Sequence, residues 1–435
     1  MLSIGLMSGT SMDGIDAALL NTDGKTAINE LGNIFLPYSQ EMKILLKAAE
    51  YAAREVGGDL TRAQNSFPDL LVKYLKNALG LPDALVANKV QELGWYFHQE
   101  ENIAVTFPQI IQRSTELHAQ AVERLLKKTD FTANQIDVIG YHGQTLLHKP
   151  SHKITIQAGD GKLLAALTGI TVVNDFRSRD VAFGGQGAPF APLYHQALAL
   201  RDGKIPAAVI NCGGIANITF IHGDANDEVV GFDTGPGNGL IDRCVKQHTR
   251  GIEHMDANGQ YGIQGSVNED MLEKLYQQAI SLPGENFFAR KPPKSLDIGD
   301  LHYLPELHTL SLPDACRTLE AFTADTIVKS LHTFGTATPK YIILAGGGWN
   351  NPIIHHELVL RLQQQISRDI EVLTADAAGW NSQAMEAQVF AYLAVRSLHK
   401  LPISVPTTTL VSEPLSGGVM HLSPLGPTIA VEQLL

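Results

Sequence analysis

The hydrophobic pattern divides the chain before any chemistry is considered. Apolar runs Ser3–Ser8 and Ile15–Asn21 flank the turn-rich stretch Gly9-Thr10-Ser11-Met12-Asp13-Gly14, the pattern of a β-hairpin. Apolar residues then recur at helical spacing: Met42, Leu45, Leu46, Ala49 and Ala52; Phe67, Leu70, Leu71, Tyr74 and Leu75; Leu117, Ala121, Val122, Leu125 and Leu126. These predict three helices. Strand-like runs return at Val138–Tyr141, Lys153–Gln157 and Ile170–Asn174, giving mixed α/β order. After the glycine-rich Gly184–Pro189, a hinge or substrate loop by composition, Tyr194–Leu200 reads as a helix. The pattern then restarts: Ala207–Asn211 and Asn217–Ile221 surround the turn Cys212-Gly213-Gly214-Ile215-Ala216, a second hairpin that opens a second domain. Tyr341–Ala345 and Glu371–Thr374 supply later strands. A helix from about Ser382 to His399 carries Met385, Val389, Tyr392 and Leu393 on one face.

Composition narrows the class. A chain of 435 residues exceeds the roughly 100–200 usual for one domain, and 44% apolar with 18% charged residues is enough for large cores and excludes disorder as the main state. The 33 basic and 45 acidic residues give a net charge of −12, which disfavours nucleic acid and anionic membranes as partners. No apolar run approaches the roughly 18–20 residues of a membrane span, and the three cysteines are too few for a disulfide framework. The expected location is the cytoplasm.

The chemistry lies in the glycine-rich turns. Gly9–Gly14 combines backbone N–H groups with small side chains, which suits a phosphate, and Ser8, Thr10 and Ser11 add hydroxyls. Asp13 or Asp16 suits a magnesium ion. A plain hairpin turn explains the same residues. The spacing matches neither a P-loop nor a dinucleotide fingerprint, and neither H-E-x-x-H nor G-x-S-x-G occurs. Gly346-Gly347-Gly348, after a strand, reads as a third such feature or as a strand-to-helix turn. Together, three turns over two α/β halves favour a nucleotide cleft between domains. Asn174–Asp180 sets two carboxylates beside two guanidiniums, either an ion-paired surface loop or an acid–base and carboxylate-binding cluster. His142 at a strand end is structural or touches a ligand. Gly5–Asp16 and Gly231–Asp242 share G-x-x-[ST]-G-x-x-x-x-x-I-D. Convergent glycine turns account for this; so does one phosphate cradle per domain, which the repeated hairpins favour.

Taken together, GLMSGTSMDGID (Gly5–Asp16), HGQT (His142–Thr145), DFRSRDVAFGGQGAP (Asp175–Pro189), CGGIAN (Cys212–Asn217), FDTGPGN (Phe232–Asn238), PPKS (Pro292–Ser295) and GGG (Gly346–Gly348) closely resemble the anhydro-N-acetylmuramic acid kinases of the acetate and sugar kinase, Hsp70 and actin superfamily. The resemblance implies a two-domain α/β, RNase-H-like fold of the actin and sugar kinase type with an ATP cleft between domains. The pattern along the chain places a first domain at 1–180 with an extended helical segment at 41–107, and a second at 181–435 whose C-terminal segment is a candidate to return to the first. ATP would phosphorylate O6 of 1,6-anhydro-N-acetylmuramic acid while water opens the anhydro bridge, giving N-acetylmuramate 6-phosphate in cell-wall sugar recycling. Asp180 is the implied base for water and Asp175 the runner-up. Gly9, Thr10, Ser11, Met12, Asp13, Gly14, Ile15, Asp16, Gly213, Gly214, Asp233, Gly235, Gly237, Asn238, Gly346, Gly347 and Gly348 would bind ATP, with Asp16 and Asp233 on Mg2+. His142, Gln144, Arg177, Arg179, Gln186, Gly187 and Pro189 would bind the sugar, one of the arginines its lactyl carboxylate. A homodimer is expected.

Two departures stand out. The 41–107 segment looks long for the family, and Leu296-Asp297-Ile298-Gly299-Asp300 replaces the common T-G-R-E after PPKS. Competing readings are a kinase for another anhydrosugar such as levoglucosan, which lacks the lactyl group, and a noncatalytic ATP-binding regulatory module.

Overall fold

The computed structural model describes residues 1–100, 103–334 and 338–423. Its strands are β1 (Leu2–Ser8), β2 (Gly14–Thr22), β3 (Ile28–Pro37), β4 (Val138–Lys149), β5 (Ile154–Ala158), β6 (Val172–Asn174), β7 (Ala207–Cys212), β8 (Ile215–Ile221), β9 (Val229–Pro236), β10 (Tyr341–Ala345), β11 (Glu371–Thr374) and β12 (Val419–His421). Its main helices are α1 (Gln40–Glu55), α2 (Leu60–Asn65), α3 (Phe67–Asn77), α4 (Asp83–His98), α5 (Phe107–Thr129), α6 (Gly161–Thr168), α7 (Ser178–Ala182), α8 (Ala191–Arg201), α9 (Gly239–His248), α10 (Glu269–Gln278), α11 (Leu312–Leu331), α12 (Pro352–Gln365) and α13 (Met385–Leu398). The chain divides into two compact units: unit 1 is Met1–Tyr194 with the chain from Gln383 onward, unit 2 is His195–Ser382.

Unit 1 holds a sheet of order β12-β6-β4-β1-β2-β3, with β5 also paired to β4. β1, β2 and β3 form an antiparallel meander, and β4 and β6 continue from β1 in parallel. Unit 2 has the order β11-β10-β7-β8-β9, again a meander (β7, β8, β9) followed by two parallel strands. Setting β5 and β12 aside, each sheet runs third-second-first-fourth-fifth along the chain. This is the strand order of an RNase-H-like fold, present once in each of the two units.

Burial follows the periodicities. Leu45, Leu46 and Ala49 of α1 and Ala121, Val122 and Leu125 of α5 pack with Ile4, Leu6 and Leu19 of the sheet. On β1, β2 and β4 lies α13. Its backbone comes so close that a Cβ on Gly5 would lie 1.8 Å from the Ala387 carbonyl oxygen, and one on Gly140 1.9 Å from that of Phe390. Only glycine fits at either strand position. In unit 2, Ala324, Ile327 and Val328 of α11 pack with β8, β9 and α12.

The internal sequence similarity is not a duplicated hairpin. Gly5–Asp16 runs through β1, a turn and β2, whereas Gly231–Asp242 runs along β9 into α9. The positional counterpart of the first hairpin is β7–β8 with its turn at Gly213-Gly214. Glycine and Ser/Thr recur at both places because both chains reverse tightly there, one into a strand and the other into a helix.

Candidate active site

In unit 1 the Gly9–Gly14 turn is anchored from behind. Met12 is fully buried with φ 56°, and its N–H donates to the Gly9 carbonyl at 3.0 Å. The buried Ser8 hydroxyl lies 2.7 Å from Gln144 Oε1 and 2.9 Å from the Tyr38 hydroxyl, while Gln144 Nε2 donates to the Gly9 carbonyl at 3.1 Å. Gln144 is thus buried with both ends of its amide committed to the turn. Thr10, Ser11 and Asp13 stand exposed at the tip, where Asp13 pairs with Lys43 at 3.2 Å. Hydrogen bonds from Lys43 and Ser11 hold the Asp13 carboxyl below its usual range. Ile15 is core, and the neighbouring Asp16 side chain is pushed up to about 6 by burial and then by Glu386 of α13.

Glu386 leads to the second part of unit 1's site. It keeps solvent access although protein surrounds it closely enough to raise its carboxyl, an effect opposed by Arg177. Arg177 is held on three sides: Nε and Nη2 lie 3.1 and 3.0 Å from His142 Nε2, Nη1 donates to the Gly187 carbonyl, and the guanidinium lies over the Phe190 ring. Because His142 Nδ1 sits 2.7 Å from the Gly143 carbonyl, Nδ1 carries the proton and Nε2 accepts. Burial, then Arg177, keeps this histidine neutral well below its ordinary titration range. His142 therefore orients Arg177.

Asp180, on the short α7, is buried. Its Oδ1 accepts the Gly187 N–H, while its Oδ2 is buried without a partner among the described residues. The loop is built around it, since a Cβ on Gly185 would strike the carboxylate and Gly187 has φ 66°. Gln186 holds the loop by its backbone, its N–H on the Thr409 carbonyl and its carbonyl facing His148. Pro189 follows a cis peptide bond. Asp175, at φ 50°, receives the Ser178 N–H at 3.3 Å and so starts α7. Arg179 is exposed, over Phe183, with no ion pair among the described residues.

Unit 2 gathers three glycine turns at one place. The N–H groups of Gly237 and Gly239 donate to the Gly214 carbonyl at 3.0 Å each, and that of Asn238 to the Gly213 carbonyl at 2.7 Å. A Cβ on Gly237 would lie 2.2 Å from the Gly213 oxygen, and Cβ atoms on Gly346 and Gly348 would strike Cys212. Gly347 is open, and Gly235 lies against Thr326 of α11. Asp233 on β9 takes the Leu296 N–H at 2.7 Å, and burial pushes it up to about 7. The altered loop after PPKS therefore still meets β9, through backbone rather than side chains, and Ile298 lies over Gly214 and Gly239.

Two groups escaped the sequence reading. Glu386 gives no local signal, being one glutamate in an apolar helix. Arg243, Lys246, Arg250 and His254 line one concavity along and beyond α9 with Asp242, and none of the four forms an ion pair among the described residues. Arg243 and Lys246, three apart on α9, with Arg250 and His254 following in a chain of net charge −12, were a usable signal. Asp242, the acid of that concavity, is pushed up to about 6 by burial.

The family profile described as anhydro-N-acetylmuramic acid kinase matches residues 1–96 and 69–423. The chain is similar to the anhydro-N-acetylmuramic acid kinase of Rhizorhabdus wittichii, 40% identical over 422 residues that cover 97% of this chain and 99% of that protein. It is similar to the same-named protein of Methylobacterium nodulans, 39% identical over 421 residues covering 96% and 99%, and to that of Zymomonas mobilis, 39% over 421 residues covering 97% and 100%. With matches of this extent, the chain belongs to the anhydro-N-acetylmuramic acid kinase family.

Proposed function

We propose that this chain, a sugar kinase, uses ATP to phosphorylate O6 of 1,6-anhydro-N-acetylmuramic acid as water opens the anhydro bridge. The reading is carried by Asp180: one oxygen is fixed by the Gly187 N–H, and the other is buried without a partner among the described residues. A carboxylate so held has a free acceptor to take a proton from water. That water attacks C1, the C1–O6 bond breaks, and O6 receives the γ-phosphoryl group while its partner product is ADP. Arg177, rigid between His142 and Gly187, places positive charge beside Asp180 and Glu386. Arg179, exposed at the start of the same short helix, is the proposed partner of the lactyl carboxylate.

In unit 1 the exposed tip of the Gly9–Asp16 turn is a proposed phosphate cradle; in unit 2 the glycine convergence is another, and the Arg243–Lys246–Arg250 concavity favours an anion. Asp16, raised beside Glu386, fits a divalent cation, and Asp233 offers the oxygen that Leu296 leaves free. Magnesium there would supply charge neutralisation of the phosphates. No helix among the described residues is long and apolar enough to cross a membrane. A cytoplasmic homodimer is the proposed state, with the mass in solution as its check.

Asp180→Asn is the test. It should retain fold and nucleotide binding and lower turnover by roughly 10²-fold or more, the scale of losing a general base. In ¹⁸O-labelled water, a promptly quenched wild-type reaction should place label on the anomeric hydroxyl and none on phosphate. Near-normal turnover of the variant, or label in phosphate, overturns this mechanism.

A further inference from the structure

We propose that the open pocket between α1 and α4 of unit 1 binds a neutral pyranose ring, a site separate from the groups assigned above. Its lining is Glu41, from the first turn of α1, with Glu92, Trp95, Tyr96 and Gln99 at the end of α4 and just beyond it, around about 500 Å³. That is within the size range of small-ligand sites. Trp95 is 55% exposed, and no ring or cation among the described residues lies over its indole. Beside it, Tyr96 is tethered by the Ser39 hydroxyl at 3.0 Å, which joins α4 to the residue that caps α1.

The lining selects the ligand. Two carboxylates on the rim repel phosphates and the lactyl carboxylate alike. Glu92 already holds Lys89 at 2.7 Å, which weakens the pull on a cation. A hydrocarbon would desolvate those carboxylates without replacing their hydrogen bonds. A pyranose satisfies both halves: one ring face carries C–H groups that pack on an indole, and its equatorial hydroxyls donate to carboxylates and to the Gln99 amide oxygen. Glu41 stands two residues from Lys43, and Lys43 pairs with Asp13 of the glycine turn. Such a ring has two sources, a free saccharide or a glycosyl residue joined to the sugar being phosphorylated, and the second rests on the function proposed above.

Calorimetry on the full chain separates these sources, with methyl N-acetyl-β-glucosaminide in one arm and 1,6-anhydro-N-acetylmuramic acid glycosylated on O4 in the other. Binding of the glycoside identifies a free-saccharide site; a Trp95-dependent gain for the glycosylated over the plain anhydrosugar identifies a linked one. In either arm Trp95→Ala should weaken binding about tenfold, the upper end of what an aromatic pairing contributes beyond area burial. Trp95→Phe, which keeps a ring, should weaken it less, and both variants should phosphorylate the plain anhydrosugar at the wild-type rate. The proposal is overturned if neither ligand shows Trp95-dependent binding, or if spermidine or inorganic phosphate occupies the pocket in preference to both sugars.

Discussion

Replacing Glu320 by glutamine should remove the largest single share of the pH dependence of unit 2's stability between pH 5 and 8. Glu320 of α11 is fully buried: Oε1 accepts the Asn351 side-chain N–H at 2.7 Å, and Oε2 has no hydrogen-bond partner among the described residues. Asn351 caps α12, directly beyond the Gly346–Gly348 turn. Around the carboxyl lie Asp256, whose oxygens accept the Tyr261 and Gly262 N–H groups, and Arg317 and Cys316. Burial, then Asp256, carries Glu320 from 4.5 to about 8. The folded state thus holds this proton more tightly than the unfolded chain. The resulting stability is fully present below pH 4.5 and is lost as pH rises through 8, at about 1.4 kcal/mol per pH unit, or on the order of 4 kcal/mol from pH 5 to pH 8. Glutamine keeps the oxygen for Asn351 and titrates nowhere in that window. Asp16 and Asp233 also lose stability with rising pH, but they do so in both proteins, and the difference between the two curves isolates Glu320. Of the three tryptophans, Trp349 and Trp380 lie in unit 2, so fluorescence-detected unfolding in a Trp95→Phe background reads that unit. Parallel stability curves for the parent and its Glu320→Gln variant across this range would refute the reasoning.

Gly237→Ala places a methyl 2.2 Å from the Gly213 oxygen, so the turns must separate; we expect a loss of about 1–3 kcal/mol in stability and at least tenfold weaker binding of a nonhydrolysable ATP analogue, read by thermal denaturation and calorimetry. His142→Ala removes the acceptor that fixes Arg177, and turnover should fall about tenfold, with His142→Gln recovering part of it by supplying an amide oxygen; equal rates in the two variants would contradict the orienting role. Arg179→Ala should raise KM for anhydro-N-acetylmuramic acid while leaving that for levoglucosan unchanged, and a parallel rise for both sugars would assign the lactyl group elsewhere.

Nine of the twelve strands among the described residues were legible as short apolar runs, and Tyr341–Ala345 and Glu371–Thr374 match theirs residue for residue, whereas β3, β9 and β12 were not read from the pattern. Helix α4 was not legible, since only Val86, Leu93 and Gly94 are buried in it and Leu85 and Trp95 face solvent, which leaves no apolar period to find. In the site, Asp180 and the glycine turns stand in local motifs. The partnership of Asp16 with Glu386 does not, because it depends on a helix returning from the far end of the sequence. Nor does spacing reveal that Gln144 faces inward to Ser8 and Gly9, or that His142 serves Arg177; both follow from strand register, which sets Gln144 opposite Ser8.

The seating of α13 on β1 has a consequence for biosynthesis. Ser3 donates to the Ala391 carbonyl across 388 positions of sequence, and Gly5 and Gly140 exist to receive that helix. A ribosome adding about 5–20 residues per second needs roughly 20–80 s to travel that distance. Throughout that interval the first strand is out in solution with one face bare, while every residue of unit 2 emerges before the helix that completes unit 1. Unit 1 of this enzyme is therefore the later to mature, and its nascent β1–β2 hairpin waits through the synthesis of all of unit 2 for the helix that covers it.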